Sequence, residues 1–406
     1  MRDKPAAPTV ATLPGAALAL IHTGQAPTRS ALTARLGVTR ATTGAVTGEL
    51  RDLRLIQVET ATGGGLQGRP SHRLLPDPDG PVALAAELYT DGFAVGLVGL
   101  GATIVARLSR DLPVSADPAQ ALAPVSEAAA TLLGRSGRRC VGAAVALPAA
   151  VTEPAGATVG ALYFGWPDGV TVSDIFAAQL AGHGATGPNG ALLACRAVND
   201  VNAAALAEHR HGGGRDAAHL LVVAATRRGV GSALVLRGAL YTGSTGLAME
   251  AGHVSIDPRG RPCPCGSRGC LNVETDAGRF LDAAGRVPDP GAEPLDAAIA
   301  LLTAGYATDP RVRAAVSTLV DRLGLGLASL VNIVNPDRVL LGGLHKHLLL
   351  AAPDELRDAV AARSPWDRGA AVPISPCALD DAALIGAAEL AWQPVLDNPA
   401  LLRRPA

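Results

Sequence analysis

Apolar residues near the N-terminus recur at three- and four-residue intervals, the spacing that lines one face of a helix, and the residues between the groups are ones that start and stop helices. Leu13 to Thr23 forms the first group and ends at Gly24. Thr28 can cap a second short helix by accepting bonds from free backbone N–H groups, and Gly37 can close it in the left-handed conformation. Thr39 caps a third helix that runs to about Leu53. The segment LTARLGVTRATTGAVTGEL therefore predicts helix, tight turn, helix. From Leu55 to Glu59 the pattern changes to strand-like alternation. Gly63, Gly64, Gly65 and Gly68 then form a flexible tip, and Pro70 to Leu75 supplies the returning strand of a wing.

The run PDPDGP from Pro76 to Pro81 marks a linker. Beyond it, Phe93 to Leu100 and Thr103 to Ser109 predict a hairpin, Ala119 to Leu133 a helix and Cys140 to Leu147 a buried strand. A strand and helix follow between Leu192 and His209, and Leu220 to Ala225 is another apolar strand. Val312 to Val334 reads as a long helix rich in Gly and Leu, and Arg338 to Leu341 as a strand ending at Gly342 and Gly343. No fixed-period repeat is present. Strands alternating with helices predict an α/β body.

Composition adds scale to this picture. The chain has 406 residues, too many for one compact core, so two or three domains are expected. Apolar residues make up 48% and aromatics only 3%, so Ala, Val and Leu must do most of the packing. No run approaches the roughly 18–20 apolar residues that span a bilayer, and no charged start with an apolar leader is visible, which predicts a cytoplasmic protein with no membrane partner.

The formal net charge is −1, so affinity for nucleic acid must come from a local patch. Such a patch is present. Arg29, Arg35, Arg40, Arg51, Arg54, Arg69 and Arg73 face only Glu49, Asp52 and Glu59. Arg40, Thr42, Thr43 and Thr47, on the first turns of the third helix, are the expected readers of double-stranded DNA, Arg40 through a bidentate pair with guanine. Arg69, beside Gly68 and Pro70, is placed to enter a minor groove or clamp the backbone. The alternative is a helical cap that only packs on the body, which leaves the basic excess unexplained.

Cys140, Cys195 and Cys377 are scattered, while His253, Cys263, Cys265 and Cys270 form H-x9-C-x-C-x4-C. Three thiolates and one imidazole satisfy a tetrahedral zinc ion and leave no open coordination place, so a structural Zn2+ is expected; free thiols or a disulfide are the alternative. The fuller motif joins Glu250, Gly252 and His253 to CPCGSRGC at Cys263 to Cys270. It resembles the zinc motif of the ROK family of repressors, open reading frames and kinases. NDVNAAALAE at Asn199 to Glu208, GLASLVNIVNPDRVLLGG at Gly326 to Gly343 and DDAALIGAAELA at Asp380 to Ala391 extend the resemblance, as does the GRP at Gly68 to Pro70 of the winged segment.

The resemblance implies an N-terminal winged helix-turn-helix over residues 1–78. Two actin-like, ribonuclease H-like α/β lobes follow over 79–198 and 199–406, with the closing helix returning to the first lobe. It also implies that Asn199, Asp200, Glu250 and His253 bind sugar hydroxyls, with Asp200 in the place of a kinase's general base. On the residues alone, Asn199 and Asp200 also read as a helix cap.

The nucleotide loops depart from the family. Glu87, Leu88, Tyr89, Thr90 and Asp91 stand where kinases have D-x-G-x-T, with Tyr89 replacing glycine, and Arg227, Arg228, Gly229, Val230, Gly231, Ser232 and Ala233 stand in the second phosphate loop. On the sugar side, Asn272 falls where a glutamate is usual, with Glu274 two residues later, and Ala149 replaces a glycine. The expectation is a repressor of carbohydrate-related genes, without ATP and without catalysis. It would form a homodimer or homotetramer on a palindromic operator and be controlled by a sugar or sugar-phosphate effector between the lobes. A sugar kinase with an accessory DNA module, and a regulator that has lost its effector, are the competing readings.

Overall fold

The computed structural model describes residues 11–60, 72–112, 115–153, 155–161, 163–287, 293–365 and 368–403. At the N-terminus, α1 (Leu13–His22), α2 (Arg29–Leu36) and α3 (Arg40–Asp52) follow the expected caps. The Thr28 hydroxyl accepts from Ala31 N–H at 3.2 Å, Thr39 from Thr42 N–H at 3.1 Å, and Gly37 closes α2 with φ 65°. Leu18, Leu32, Leu50 and Leu55 are fully buried between the helices. β1 (Ile56–Glu59) pairs antiparallel with β2 (Arg73–Pro76), Glu59 opposite Arg73. The glycine tip, with Gly68, Arg69 and Pro70, lies outside the described residues.

What the sequence marks as a linker is a tight turn. Asp77 N–H donates to Leu55 C=O at 3.0 Å and Gly80 N–H to Asp77 C=O at 3.0 Å, so the chain passes directly from the ribbon into the next sheet. Proline and glycine here shape a compact connection instead of a spacer.

The chain divides into two compact units. The first runs up to Leu147 and adds Val170–Val198 and the residues from Ala387; the second comprises Pro148–Gly169 and Asn199–Gly386. The first unit's sheet contains β3 (Val82–Leu88), β4 (Gly92–Val98), β5 (Ile104–Asp111) and β6 (Cys140–Leu147). A short ribbon of β7 (Ala150–Val151) and β8 (Thr158–Val159) comes next in the chain, and β9 (Cys195–Asn199) completes the sheet in the order β5-β4-β3-β6-β9. The first three strands are antiparallel and β6 runs parallel to β3. α4 (Pro118–Ser136) and α5 (Val172–Gly182) are joined by a 2.8 Å bond from Ser126 to Gln179.

After α6 (Asp200–His211), the second unit repeats the topology. β10 (His219–Thr226), β11 (Gly229–Leu236) and β12 (Ala239–Leu240) join β13 (Arg338–Gly342) and β14 (Ile374–Pro376) in the order β12-β11-β10-β13-β14. In each sheet the spatial order is third, second, first, fourth, fifth, the ribonuclease H-like lobe of actin-like proteins. α6 packs one face through Val201 and Ala205. The other face is covered by helices that include α7 (Leu271–Glu274), α8 (Ala277–Ala283), α9 (Pro294–Gly305) and α10 (Pro310–Val334). α11 (Gly343–Ala351), α12 (Pro353–Ala361) and α13 (Arg368–Ala371) complete the set. By length and composition α10 passes as a membrane span, yet Val312, Val316, Leu319, Leu323 and Leu327 recur along one stripe inside this core.

α14 (Ala382–Asp397) begins in the second unit and continues in the first, where α1 packs against it. Thr12 N–H donates to Asp397 C=O at 3.0 Å, and the Trp392 indole donates to Val98 C=O at 2.9 Å. His22 Nε2 lies 2.9 Å from both Glu389 carboxylate oxygens, while Gly101 N–H donates to His22 Nδ1 at 2.9 Å. An accepting Nδ1 carries no proton, so the ring's N–H is the one facing Glu389. Both side chains are at most 1% exposed. The three-helix segment is therefore docked on the body by a sealed polar contact. Arg139 adds a second tie, donating to Leu53 C=O at the end of α3 at 2.7 Å.

Candidate functional site

A cavity of about 400 Å3 lies in the second unit, walled by the β7–β8 ribbon, the start of α6, the β10–β11 turn and the loop that carries Glu250 and His253. Asn199 caps α6, its side-chain oxygen accepting from Val201 and Asn202 N–H at 3.0 and 3.1 Å. Its amide donates to Ala149 C=O at 3.2 Å, so capping also pins the loop at Ala149. Asp200 follows on the cavity floor and accepts Val201 N–H at 2.8 Å. Burial pushes its carboxyl up from 3.8 to about 6, with the nearby Glu250 charge adding to the push. Glu250 is also raised by partial burial, although one side meets solvent and His253 pulls the other way.

All four proposed sugar-binding residues, Asn199, Asp200, Glu250 and His253, line this one cavity. Two carboxylates with unused lone pairs can accept hydrogen bonds from vicinal hydroxyls. Asn272 and Ala149 also line the wall. Asn272 accepts Val230 N–H at 2.6 Å, and a Cβ on Gly229 would stand 1.9 Å from that same oxygen, so glycine at 229 is what admits the contact. Glu274 does not replace the missing glutamate. It is 1% exposed, accepts Arg261 N–H at 2.9 Å and pairs with Arg322 and Arg279, which braces the cysteine loop from behind.

That loop forms one corner of the cavity. His253 Nδ1 is 3.6 Å from Cys263 Sγ, Cys265 Sγ is 3.7 Å from Cys270 Sγ, and the four donor atoms lie within 4.8 Å of one another. Backbone bonds fold the loop, with Cys263 N–H donating to Ser267 C=O at 2.9 Å. Gly269 (φ 59°) passes so close to Asp257 that a Cβ would lie 1.6 Å from its carbonyl oxygen. Three thiols and an imidazole converging in this way could hold a metal ion, and they fit the soft tetrahedral donor set of zinc.

Tyr89 stands at the β3–β4 turn, its hydroxyl donating to Glu87 at 3.2 Å. Arg227 pairs with Asp296 at 3.5 Å, whereas Arg228 is on the cavity wall. Tyr163, also on the wall, carries no sequence signal; it arrives on the loop after β8, outside any motif.

On α3, the structure corrects two of the expected DNA contacts. Thr43 is 1% exposed and bonds Thr33 at 2.9 Å, and Thr47 is 0% exposed and bonds Gly44 C=O at 3.1 Å. Both lie on the inner stripe with Val46 and Leu50 and cannot reach a base edge. Arg40, Ala41 and Ala45 are exposed and Thr42 half-buried, so the outer face is slimmer and less polar than expected. Arg69 lies outside the described residues.

The doubled five-stranded lobe, with a carboxylate at the start of the helix beside its cavity, defines an actin-like α/β protein. The ROK family model matches residues 189–393, just over half of the chain, and the chain belongs to that family. A putative xylose repressor of Caldicellulosiruptor sp. (strain Rt8B.4) is 34% identical over 175 residues, 41% of this chain and 44% of that protein. A glucokinase of Thermotoga maritima is 34% identical over 155 residues, 36% and 49% of the two chains. These matches span less than half the length of those relatives. In fold, a ROK family transcriptional regulator described as a homologue of the E. coli MLC protein superposes with TM-score 0.73 at 22% identity, covering 96% of this chain and 97% of that one.

Proposed function

We propose that the protein is a cytoplasmic transcriptional repressor of carbohydrate-related genes, binding a palindromic operator as a homodimer or homotetramer and responding to a sugar-class effector in the cavity. The observation that carries the reading is the pairing, in one chain, of a helix-turn-helix exposing Arg40 with a cavity whose carboxylates, Asp200 and Glu250, retain free lone pairs. Arg40 and the half-buried Thr42 would read base edges, and Arg69 would contact the DNA beside them. Relatives named as transcriptional regulators, the putative xylose repressor above and the E. coli DNA-binding transcriptional dual regulator NagC, support it.

The same cavity is read as non-catalytic. Phosphoryl transfer depends on positioning and neutralising phosphates, and a glycine loop does this by letting backbone N–H groups approach. Tyr89 and Arg227 place side chains where the family's kinases have glycine, and Arg228 replaces the loop's threonine. Asp200 then accepts a hydroxyl hydrogen bond without passing the proton on. A structural zinc would be held by His253, Cys263, Cys265 and Cys270; when bound it would neutralise the thiolates and fix the His253 ring, leaving Nε2 for the ligand.

Genome-wide mapping of binding sites supplies the operator, and fluorescence anisotropy on that DNA with a sugar panel tests control. The expected outcome is operator binding that at least one sugar-class compound changes tenfold or more, with no turnover in a coupled ATP assay. Turnover abolished by Asp200→Asn would establish the kinase instead.

A further inference from the structure

A second cavity, of about 420 Å3, lies in the first unit, where the turn between α4 and β6 meets the loop at Thr186 and the C-terminal turn at Leu402. Among the described residues its wall carries two arginines, Arg138 and Arg139, and no carboxylate. The cavity at Asp200 and Glu250 has the opposite character, since carboxylates look into it. A concave site with cations and no carboxylate on its wall concentrates anions. Its volume is in the range that takes a small organic molecule, so there is room beyond a bare inorganic ion.

The two arginines are committed differently. Arg138 forms an ion pair with Asp79 at 3.6 Å, a separation longer than a hydrogen bond. Its side chain is 20% exposed and that of Asp79 75%, so the partner is a carboxylate standing in water, where screening leaves such a pair weak. A phosphate in the cavity can take the same guanidinium through two parallel charge-assisted bonds, and Thr186 adds a hydroxyl to the wall. Arg139 instead ties neighbouring segments together. Its Nη1 donates to Leu402 C=O at 3.2 Å and its Nη2 to Leu53 C=O, just past the end of α3, at 2.7 Å. The adjoining Arg403 pairs with Glu49 of α3 at 2.7 Å, and the Asn189 amide on the cavity wall donates to Arg403 C=O at 3.1 Å. The rim of the cavity therefore holds the C-terminal end of α3. An anion beside Arg139 competes with the neutral Leu53 carbonyl, and the charged acceptor makes the stronger bond.

We propose that this second cavity binds a small organic phosphate, anchored by Arg138, and that its occupant loosens the end of α3 by drawing Arg139 away from Leu53. The site is separate from the cavity at Asp200 and needs no ligand there. Only the consequence for operator affinity rests on the DNA-binding reading.

Calorimetric titration of the full chain at fixed ionic strength tests the site, with glycerol 3-phosphate, pyrophosphate and inorganic phosphate as probes and glycerol as the neutral control. A phosphate-bearing probe should bind once per chain, and glycerol should not bind. Arg138→Gln should weaken the probe about tenfold and Arg138→Lys less, because lysine keeps the charge and loses the planar fork. Asp79→Asn should act the other way, tightening the probe by about threefold as the competing carboxylate goes. That variant sits on the exposed surface, so it decides the matter should Arg138→Gln fail to fold, and unchanged affinity in it would remove Arg138 as the anchor. At saturating probe, hydrogen exchange from Leu50 to Leu55 should quicken and operator affinity should fall. Unchanged exchange would overturn the coupling to α3. Binding of no probe, or binding that Asp200→Asn abolishes and Arg138→Gln spares, would overturn the site and leave the DNA-binding reading intact. Probe binding with quickened exchange in a protein that binds no operator would overturn that reading and leave the site standing.

Discussion

His22 sits wholly inside its packing, Gly101 N–H on one ring nitrogen and both oxygens of Glu389 on the other, whereas His253 is exposed, with Glu250 nearby and its Nδ1 beside Cys263. Both regions place a histidine close to a glutamate. In the first, hydrogen bonds fill the ring nitrogens and hold α1 on α14. In the second, a cavity and a convergent set of thiols leave acceptors and donors available, which is what a ligand or metal requires. Hydrogen-bonding capacity left beside a cavity is what separates the second region from the first.

The largest expected effect breaks the sealed site. His22→Ala removes the N–H shared by both Glu389 oxygens inside the packing of α1 on α14, and loss of one partner from a buried charged contact costs about 3–5 kcal/mol. Calorimetric melting should show that loss, whereas His253→Ala, compared in metal-free protein, should change stability by less than about 1 kcal/mol. Equal losses would remove the distinction between the two regions.

Asp200→Asn sharpens the contrast with an effect of opposite sign. A carboxyl raised from 3.8 to about 6 by burial binds its proton more tightly in the folded state. Its contribution is therefore fully present below pH 3.8 and is lost as pH rises through about 6. Replacing the charge with an amide should stabilise the protein at pH 8, by at most about 3 kcal/mol and by less because Asp200 is only half-buried at the cavity. The gain should shrink toward pH 4 in denaturant titrations while sugar affinity falls. A gain that does not vary with pH would mean that Asp200 is not the strained group.

Local chemistry made the helix-turn-helix legible. Thr28, Gly37 and Thr39 act within a few residues of themselves, and the structure uses each as its neighbours suggest. The phase of α3 was harder to read because threonine looks polar. Thr43, Val46, Thr47 and Leu50 follow the i, i+3, i+4, i+7 spacing of an inward stripe, and the two hydroxyls satisfy themselves within the helical packing. The cysteine cluster was legible because its ligands are close in sequence. His22 and Glu389 are 367 residues apart and carry no motif, and Tyr163 reaches the cavity from an irregular loop, so only the folded chain brings them to their partners.

The effect read most directly on the open site should come from behind the cysteine loop. Glu274 touches none of the sulfurs; it holds Arg261 N–H at 2.9 Å and is paired with Arg322 and Arg279. If a zinc ion occupies the cluster, Glu274 orients a loop whose ligands must converge before binding. Glu274→Gln keeps all four ligands and the side-chain volume but weakens the ion pairs, so zinc should still bind, about tenfold more weakly by competition with a chelator. Cys265→Ser, which removes a ligand, should lower the metal content itself as read by atomic absorption. Unchanged zinc content in Cys265→Ser would take the metal out of the account, whereas unchanged affinity in Glu274→Gln would show that the backbone turns at Gly266 and Gly269 suffice to shape the loop.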